Sequence, residues 1–150
     1  MMPKRTAKAT TGLLSAKELR EILDTVLHQI DDDPDEGPRL GAAAAPLRLE
    51  FPDLKLVVNV RQDERGRHCL RWDFAKRSRE EPKLRLSMES EVANRLFQGR
   101  ENPAIAIARG RLRTTIDDAG AALRFFPAAK PLFSRYREVV SEKYPHLALD

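Results

Sequence analysis

The chain has 150 residues, 41% of them hydrophobic, so about sixty apolar side chains can fill one domain-sized core and a disordered chain is excluded. Its net charge is only +4, but five of the 23 acidic residues (Asp31, Asp32, Asp33, Asp35 and Glu36) fall in one short segment, leaving eighteen against 27 basic residues and a distinctly basic body. The single cysteine, Cys69, rules out an intrachain disulfide and, with three scattered histidines, lacks zinc-site spacing. The apolar run 40–46 is far too short for the roughly twenty residues of a bilayer span.

Residues 1–12 are basic, rich in Thr and Ala, and without the apolar stretch of a secretory signal; they read as a loose tail ahead of a single domain over 13–150. From Leu13 to Ile30, Leu19, Ile22, Leu23, Val26, Leu27 and Ile30 recur at three- and four-residue spacings and share one helix face. Ser15 and Glu18 form a capping box at its start, and Leu14 and Leu19 sit where a hydrophobic staple closes. The stretch from Asp31 to Pro46 is acidic in the manner of a calcium loop, but Pro34 is misplaced and no Glu closes it. It is expected to be a solvated linker.

From Leu47 the period changes to two. Leu47, Leu49 and Phe51, then Leu54, Leu56, Val58 and Val60, then His68, Leu70, Trp72 and Phe74 alternate with polar neighbours, giving three one-faced strands. Pro52-Asp53 and Asp63 to Arg67 are the expected turns of an antiparallel meander. After the charged link 77–82, Leu84, Leu86 and Met88 form a fourth strand. Met88, Val92 and Leu96 then mark a helix capped by Ser87 and ended by a left-handed Gly99.

Asn102-Pro103 opens a short helix that Gly110 closes, and Leu112, Thr114 and Ile116 form a fifth strand. The rest is helical, from Asp118 to about Phe126 and, after Pro127 and Pro131, from Leu132 to Lys143. The order helix, three strands, crossover, strand, helices, strand, helices makes an α+β domain in two layers. A five-stranded one-faced sheet is covered by helices on its apolar side, and its other side, carrying Lys55, Arg61, Arg71, Lys83, Arg85, Arg111 and Arg113, lies in water and is strongly positive.

Catalytic motifs are missing from this sequence. No nucleophile elbow occurs, Cys69 neighbours only His68, on the opposite face of a strand, and the seven glycines are dispersed instead of clustered into a phosphate cradle. His28 and His146 read as surface residues, and Cys69 as a partly buried thiol. Trp72 and Phe74 share the apolar face with Leu70 and so cannot stack on bases outside. Nucleic acid is not an expected partner, and no cofactor is expected.

The stretch from Leu84 onward resembles the sterol carrier protein type 2 domain. It is carried by Leu84-Arg85-Leu86-Ser87-Met88 leading into a helix, Gly99, Asn102-Pro103, the turn Arg109-Gly110-Arg111-Leu112, and the tail with Phe125-Phe126-Pro127 and Lys130-Pro131-Leu132-Phe133, which looks like that of bacterial members. The likeness spans roughly residues 14 to 140 in element order. The chain departs from the pattern at Ile116-Asp117-Asp118, where many relatives have Gly-Asp, and its end, Ala148-Leu149-Asp150, is not a peroxisomal signal; a cytoplasmic, bacterial protein is expected.

The resemblance implies a non-enzymatic pocket between sheet and helices for a sterol, fatty acid, acyl-CoA or related lipid. Its lining is expected from Trp72, Leu96, Phe97, Ile105, Ile107, Leu112, Phe126, Leu132, Phe133 and Tyr136, although such stripes also make plain core. Two other readings stand beside it. One is an accessory module that docks a lipid- or quinone-pathway enzyme through the basic sheet face. The other is contact with an anionic membrane or nucleic acid through Arg71, Arg85, Arg111 and Arg113.

Overall fold

The computed structural model describes residues 14–63, 69–78, 80–114 and 119–149. Helix α1 (Ala16–Asp32) begins as its sequence predicts. Ser15 Oγ accepts from the Glu18 amide at 3.1 Å, and the Glu18 carboxylate accepts from the Ser15 amide at 3.2 Å. Its buried stripe is Leu19, Ile22, Leu23, Val26, Leu27 and Ile30, with Leu14 buried beside it.

The expected solvated linker is instead a second helix, α2 (Glu36–Ala44), with Gly37, Leu40, Gly41 and Ala44 buried. The small residues explain both the helix and why its pattern is faint. A β-carbon at Gly41 would lie 3.0 Å from Gln62 Cγ, and one at Gly37 would lie 3.3 Å from Cys69 Cβ and 3.1 Å from the Ile30 carbonyl oxygen. Glycine allows the helix to approach the sheet closely, at a cost in helix propensity of about 1 kcal/mol per residue.

Strands β1 (Leu47–Phe51), β2 (Leu56–Gln62) and β3 (Leu70–Asp73) form the antiparallel meander, with a short 3-10 turn at Pro52–Leu54 joining the first two. Strand β4 (Leu84–Met88) then pairs parallel to β1, and β5 (Leu112–Thr114) antiparallel to β4, so the sheet order is β3-β2-β1-β4-β5. Between β4 and β5 lie α3 (Ser90–Phe97) and α4 (Pro103–Ala108); after β5 come α5 (Ala119–Ala128) and α6 (Lys130–Lys143), with a final 3-10 turn at Pro145–Leu147. The turn expected at Asp63 to Arg67, His68, Ile116 and its acidic neighbours, and the tail 1–12 fall outside the described residues, Asp63 apart.

Gly99 takes the left-handed conformation expected of it, with φ of 78°, and Gly110, which closes α4, takes it too, at 75°. Asn102 Oδ1 accepts from the Ile105 amide at 3.1 Å, capping α4 as its sequence predicts. Pro127 does not stop α5. It lies in the last turn before Ala128, and Pro131 sits in the first turn of α6, where a missing amide donor costs nothing.

The apolar sheet residues, including Leu49, Phe51, Val58, Val60, Leu84 and Leu86, merge with the stripes of α1, α3 and α6 into one core. The helices cover one side, as expected. The other side is not left to water alone: the β3–β4 crossover runs across it. Arg48 and Asn59, which alternate with core-facing neighbours, hold it there. The Arg48 guanidinium donates to the Lys76 carbonyl (2.6 Å), Ser78 Oγ (3.2 Å) and Asn59 Oδ1 (3.1 Å), while Asn59 Nδ2 donates to the Ala75 carbonyl (2.8 Å). A polar strand face supplies the hydrogen bonds that a crossing loop needs for its own backbone. The set of cations expected on this face also changes. Lys55 is the left-handed residue after the 3-10 turn, Lys83 precedes β4, and Arg111 precedes β5 and pairs with Glu101.

Candidate functional site: an aromatic row above a buried polar clamp

Helix α3 carries Leu96 and Phe97 into the core. Its start is fixed from outside, not by Ser87, which belongs to β4. Asp53, in the 3-10 turn after β1, accepts from the Ser90 amide at 2.9 Å and from Ser90 Oγ at 2.5 Å. An acid at a helix N-terminus satisfies a free amide and suits the dipole; here it arrives from another element.

The junction of α5 and α6 brings the remaining rings alongside. Ala129 N–H donates to the Phe125 and Phe126 carbonyls, and Phe133 N–H to the Ala129 carbonyl, so one tight turn sets Phe126, with Phe125 beside it, against Phe133. Ring centroids step from Tyr136 to Phe97 (5.0 Å), Phe97 to Phe133 (5.7 Å), Phe133 to Phe126 (6.3 Å) and Phe126 to Phe125 (5.2 Å). Tyr136, Phe97 and Phe125 are fully buried, whereas Phe133 and Phe126 are half-buried. The row therefore begins and ends in the core and reaches partly into water at Phe133 and Phe126, with separations usual for attractive ring pairs.

Beneath it is a polar clamp. Asn94 Oδ1 accepts from Tyr136 Oη and from Gln98 Nε2, both at 2.8 Å. Asn94 Nδ2 and Gln98 Nε2 donate to the Leu147 carbonyl at 3.1 and 3.0 Å, and the Leu149 amide donates to Gln98 Oε1 at 2.9 Å. Burial pushes the Tyr136 phenol well above its ordinary range, with the Glu18 charge adding to the effect. It stays neutral near pH 7 and acts as a hydrogen-bond donor. Elsewhere, His146 Nε2 meets Glu18 at 2.8 Å on the surface, and His28 lies exposed with Nδ1 on the Asp24 carbonyl. Among the described residues no three His, Cys, Asp or Glu side chains gather into a metal-binding group.

Of the expected lining, Leu96, Phe97, Leu112, Leu132 and Tyr136 are core residues, and Phe126, Phe133 and Ile107 are half-buried against that core. Ile105, 47% exposed, points outward from α4. Trp72 does not join the row. It lies on edge strand β3, at the far end of the sheet from β5, with its indole N–H donated to Asp24 Oδ1 at 2.8 Å and its ring against His28 at 4.7 Å. An indole that is half-buried takes the nearest acceptor, and α1 supplies it. Phe125, Asn94 and Gln98 were missed by sequence reasoning. The polar pair, four residues apart on the inward side of α3, was the available signal.

Two grooves lined by described residues carry several charged side chains each. One of about 420 Å³ lies among Glu36, Arg39, Lys130, Ser134, Arg135 and Glu138. The other, about 390 Å³, has Met88 and Val92 flanked by Glu89, Glu91, Arg95 and Arg113. Glu101 gathers Arg95 and Arg111 nearby, and hydrogen bonds from Arg111 hold its carboxyl below the usual range despite its burial.

No family model and no curated protein sequence matches this chain. Solved structures do. The crystal structure of sterol carrier protein 2 superposes with a TM-score of 0.54 at 18% identity, covering 79% of this chain and 95% of that one. The chain has the sterol carrier fold. The conserved hypothetical protein TT1886 from Thermus thermophilus aligns with a TM-score of 0.57 at 16% identity over 79% of this chain and 86% of its own. The ubiquinone synthesis protein UbiJ-SCP2 gives 0.52 at 16% identity over 77% and 89%. A double mutant of the sec-alkyl sulfatase PisA1 also aligns, with a TM-score of 0.53 at 14% identity over 70% of this chain, but the chain spans only 16% of its length. The sterol carrier fold here is a five-stranded mixed sheet with helices, in which no described helix is long and apolar enough to cross a membrane.

Proposed function

We propose that this domain binds and carries a hydrophobic ligand, a fatty acid, sterol, acyl-CoA ester or related lipid, between its sheet and helices, without catalysing a reaction on it. The observation that carries the reading is the aromatic row of a sterol carrier fold, in which buried Phe97 and Tyr136 connect through Phe133 to half-exposed Phe126. A ligand enters where rings are already partly in water and displaces Phe126 and Phe133, whose outward faces cost least to move. Burying a sixteen-carbon chain releases on the order of 12 kcal/mol gross at about 0.8 kcal/mol per methylene, less ordering and desolvation costs. Contacts of this kind discriminate weakly, by about 1 to 3 kcal/mol per methylene, so a range of lipids is accommodated.

The test is native mass spectrometry and lipid extraction of purified protein, followed by displacement of a fluorescent fatty-acid probe. Co-purified or titratable lipid is expected, and Phe133→Glu, which puts a charge in the row, is expected to weaken probe binding at least about tenfold while the protein stays folded. Lipid-free protein that never takes up the probe overturns the reading.

A further inference from the structure

The strand face away from the helices carries like charges in register. Arg61 is directly opposite Arg71 in the β2–β3 pair, and Arg48 is opposite Arg85 in the β1–β4 pair. Like charges facing each other across strands are destabilising, so the arrangement needs compensation. Part of it comes from acids sunk among the strands. Glu50 accepts from Arg48 at 2.6 Å and lies 3.7 Å from Arg85; Asp63, its side chain 7% exposed, lies 3.4 Å from Arg71; Asp73 accepts from Asn59 Nδ2 and the Ala75 amide, each at 3.0 Å.

The cations, by contrast, stand outermost. Arg71, Lys76, Arg77, Arg85 and Arg113 are all exposed, against Glu80 and Glu81 on the crossover. The helical side mixes its signs, with Lys17, Arg20 and Lys130 beside Glu21, Asp32 and Asp35. A body approaching from the sheet side therefore meets positive charge first.

We propose that this face docks an acidic protein surface, with Arg71, Arg85 and Arg113 as the points that receive its carboxylates. The guanidinium fork matches a carboxylate with two parallel hydrogen bonds, and the β ladder holds these forks at set positions. Arg113 pairs across from Ser87, two residues along β4 from Arg85, a diagonal spacing of about 7 to 8 Å that a rigid array of acids can match. A fluid bilayer rewards the number of charges more than their spacing, and it favours apolar side chains that insert. The exposed large apolar residue among the described ones, Ile105, is on α4 and not on this face. The inference is independent of the ligand reading, since none of these residues belongs to the aromatic row.

The experiment is carbodiimide coupling in a cell extract, which joins a lysine amine to a carboxylate in contact with it, with the products mapped by mass spectrometry. Lys76 is expected to couple to an Asp- or Glu-rich segment of one protein. With that protein purified, the triple variant R71E/R85E/R113E is expected to weaken binding at least about tenfold, and raising salt from about 50 to 300 mM to weaken it further for the wild type than for the variant. Arg substitutions for the coupled acids of the partner should restore binding to the triple variant. R71Q/R85Q/R113Q, milder toward folding, should show the same loss in lesser degree, and both variants should keep fatty-acid probe binding. Absence of coupling at Lys76, partner binding that survives charge reversal, or an effect confined to vesicles containing phosphatidylglycerol overturns the proposal.

Discussion

Several single side chains in this domain complete elements far from their own. Asp31, at the end of α1, accepts from the amides of Cys69 and Leu70 at 2.7 and 2.8 Å and so receives the start of β3. Asp53 does the same for α3, and Arg48 for the crossover. Asn94 has the most at stake because it is wholly buried and serves three partners. Asn94→Ala strands the Tyr136 hydroxyl and removes one of two donors to the Leu147 carbonyl. A loss of about 2 to 3 kcal/mol is expected in urea unfolding, whereas Tyr136→Phe, which leaves Asn94 Oδ1 still bonded to Gln98, should cost about 1 kcal/mol. None of these partnerships was legible in advance. An aspartate on a helix looks the same in sequence whether it faces water or two amides of a distant strand.

Elements were read with unequal success, and the reason is periodicity. Helix α1, the alternation of the five strands and the capped start of α4 announce themselves because apolar spacing and cap chemistry lie within a few consecutive residues. Helix α2 does not, because the face it buries is glycine and alanine, whose fitness for close approach is apparent only once Gln62 and Cys69 are placed beside it. The C-terminal turn is a comparable case. Leu147 is completely buried and its carbonyl is gripped by Asn94 and Gln98, although the segment is short and carries Pro145 and His146. Ending the chain after Lys143 should therefore lower the melting temperature by several degrees, since a buried leucine side chain alone is worth about 1.5 to 3 kcal/mol. A terminal segment that could be removed without effect would show the clamp to be incidental.

At the level of the whole molecule, acid sensitivity follows from three carboxylates held below their ordinary range. Glu101 is lowered by hydrogen bonds from Arg111 and Arg95, and Asp33 by the amides of Glu36 and Asp35. Glu18 is pushed up by partial burial, but bonds to Ser15 and His146 outweigh this. A carboxylate whose value is lowered on folding contributes stability that is full above its unfolded value, 4.5 for Glu, and is lost as pH falls through the lowered folded value. Glu101→Gln is thus expected to lower the melting temperature at pH 7, with the difference from wild type shrinking below pH 4.5 and vanishing once both proteins carry a neutral side chain there. A constant difference across that range would show that the bridge to Arg95 and Arg111 stabilises by shape and not by charge.

Hydrophobic spacing, turn residues and caps were enough to establish an α+β domain with one-faced strands, and the order of those elements was enough to suggest a sterol carrier arrangement. Such features are local: each depends on residues within about one or two turns of the chain. Three matters had to wait for the folded molecule. These are the parallel pairing of β4 with β1, the passage of the crossover over the polar strand face, and the separation of Trp72 from the rings around Phe97. All three depend on side chains tens of residues apart finding complementary partners, and partner choice is a property of three-dimensional proximity that spacing along a chain does not encode.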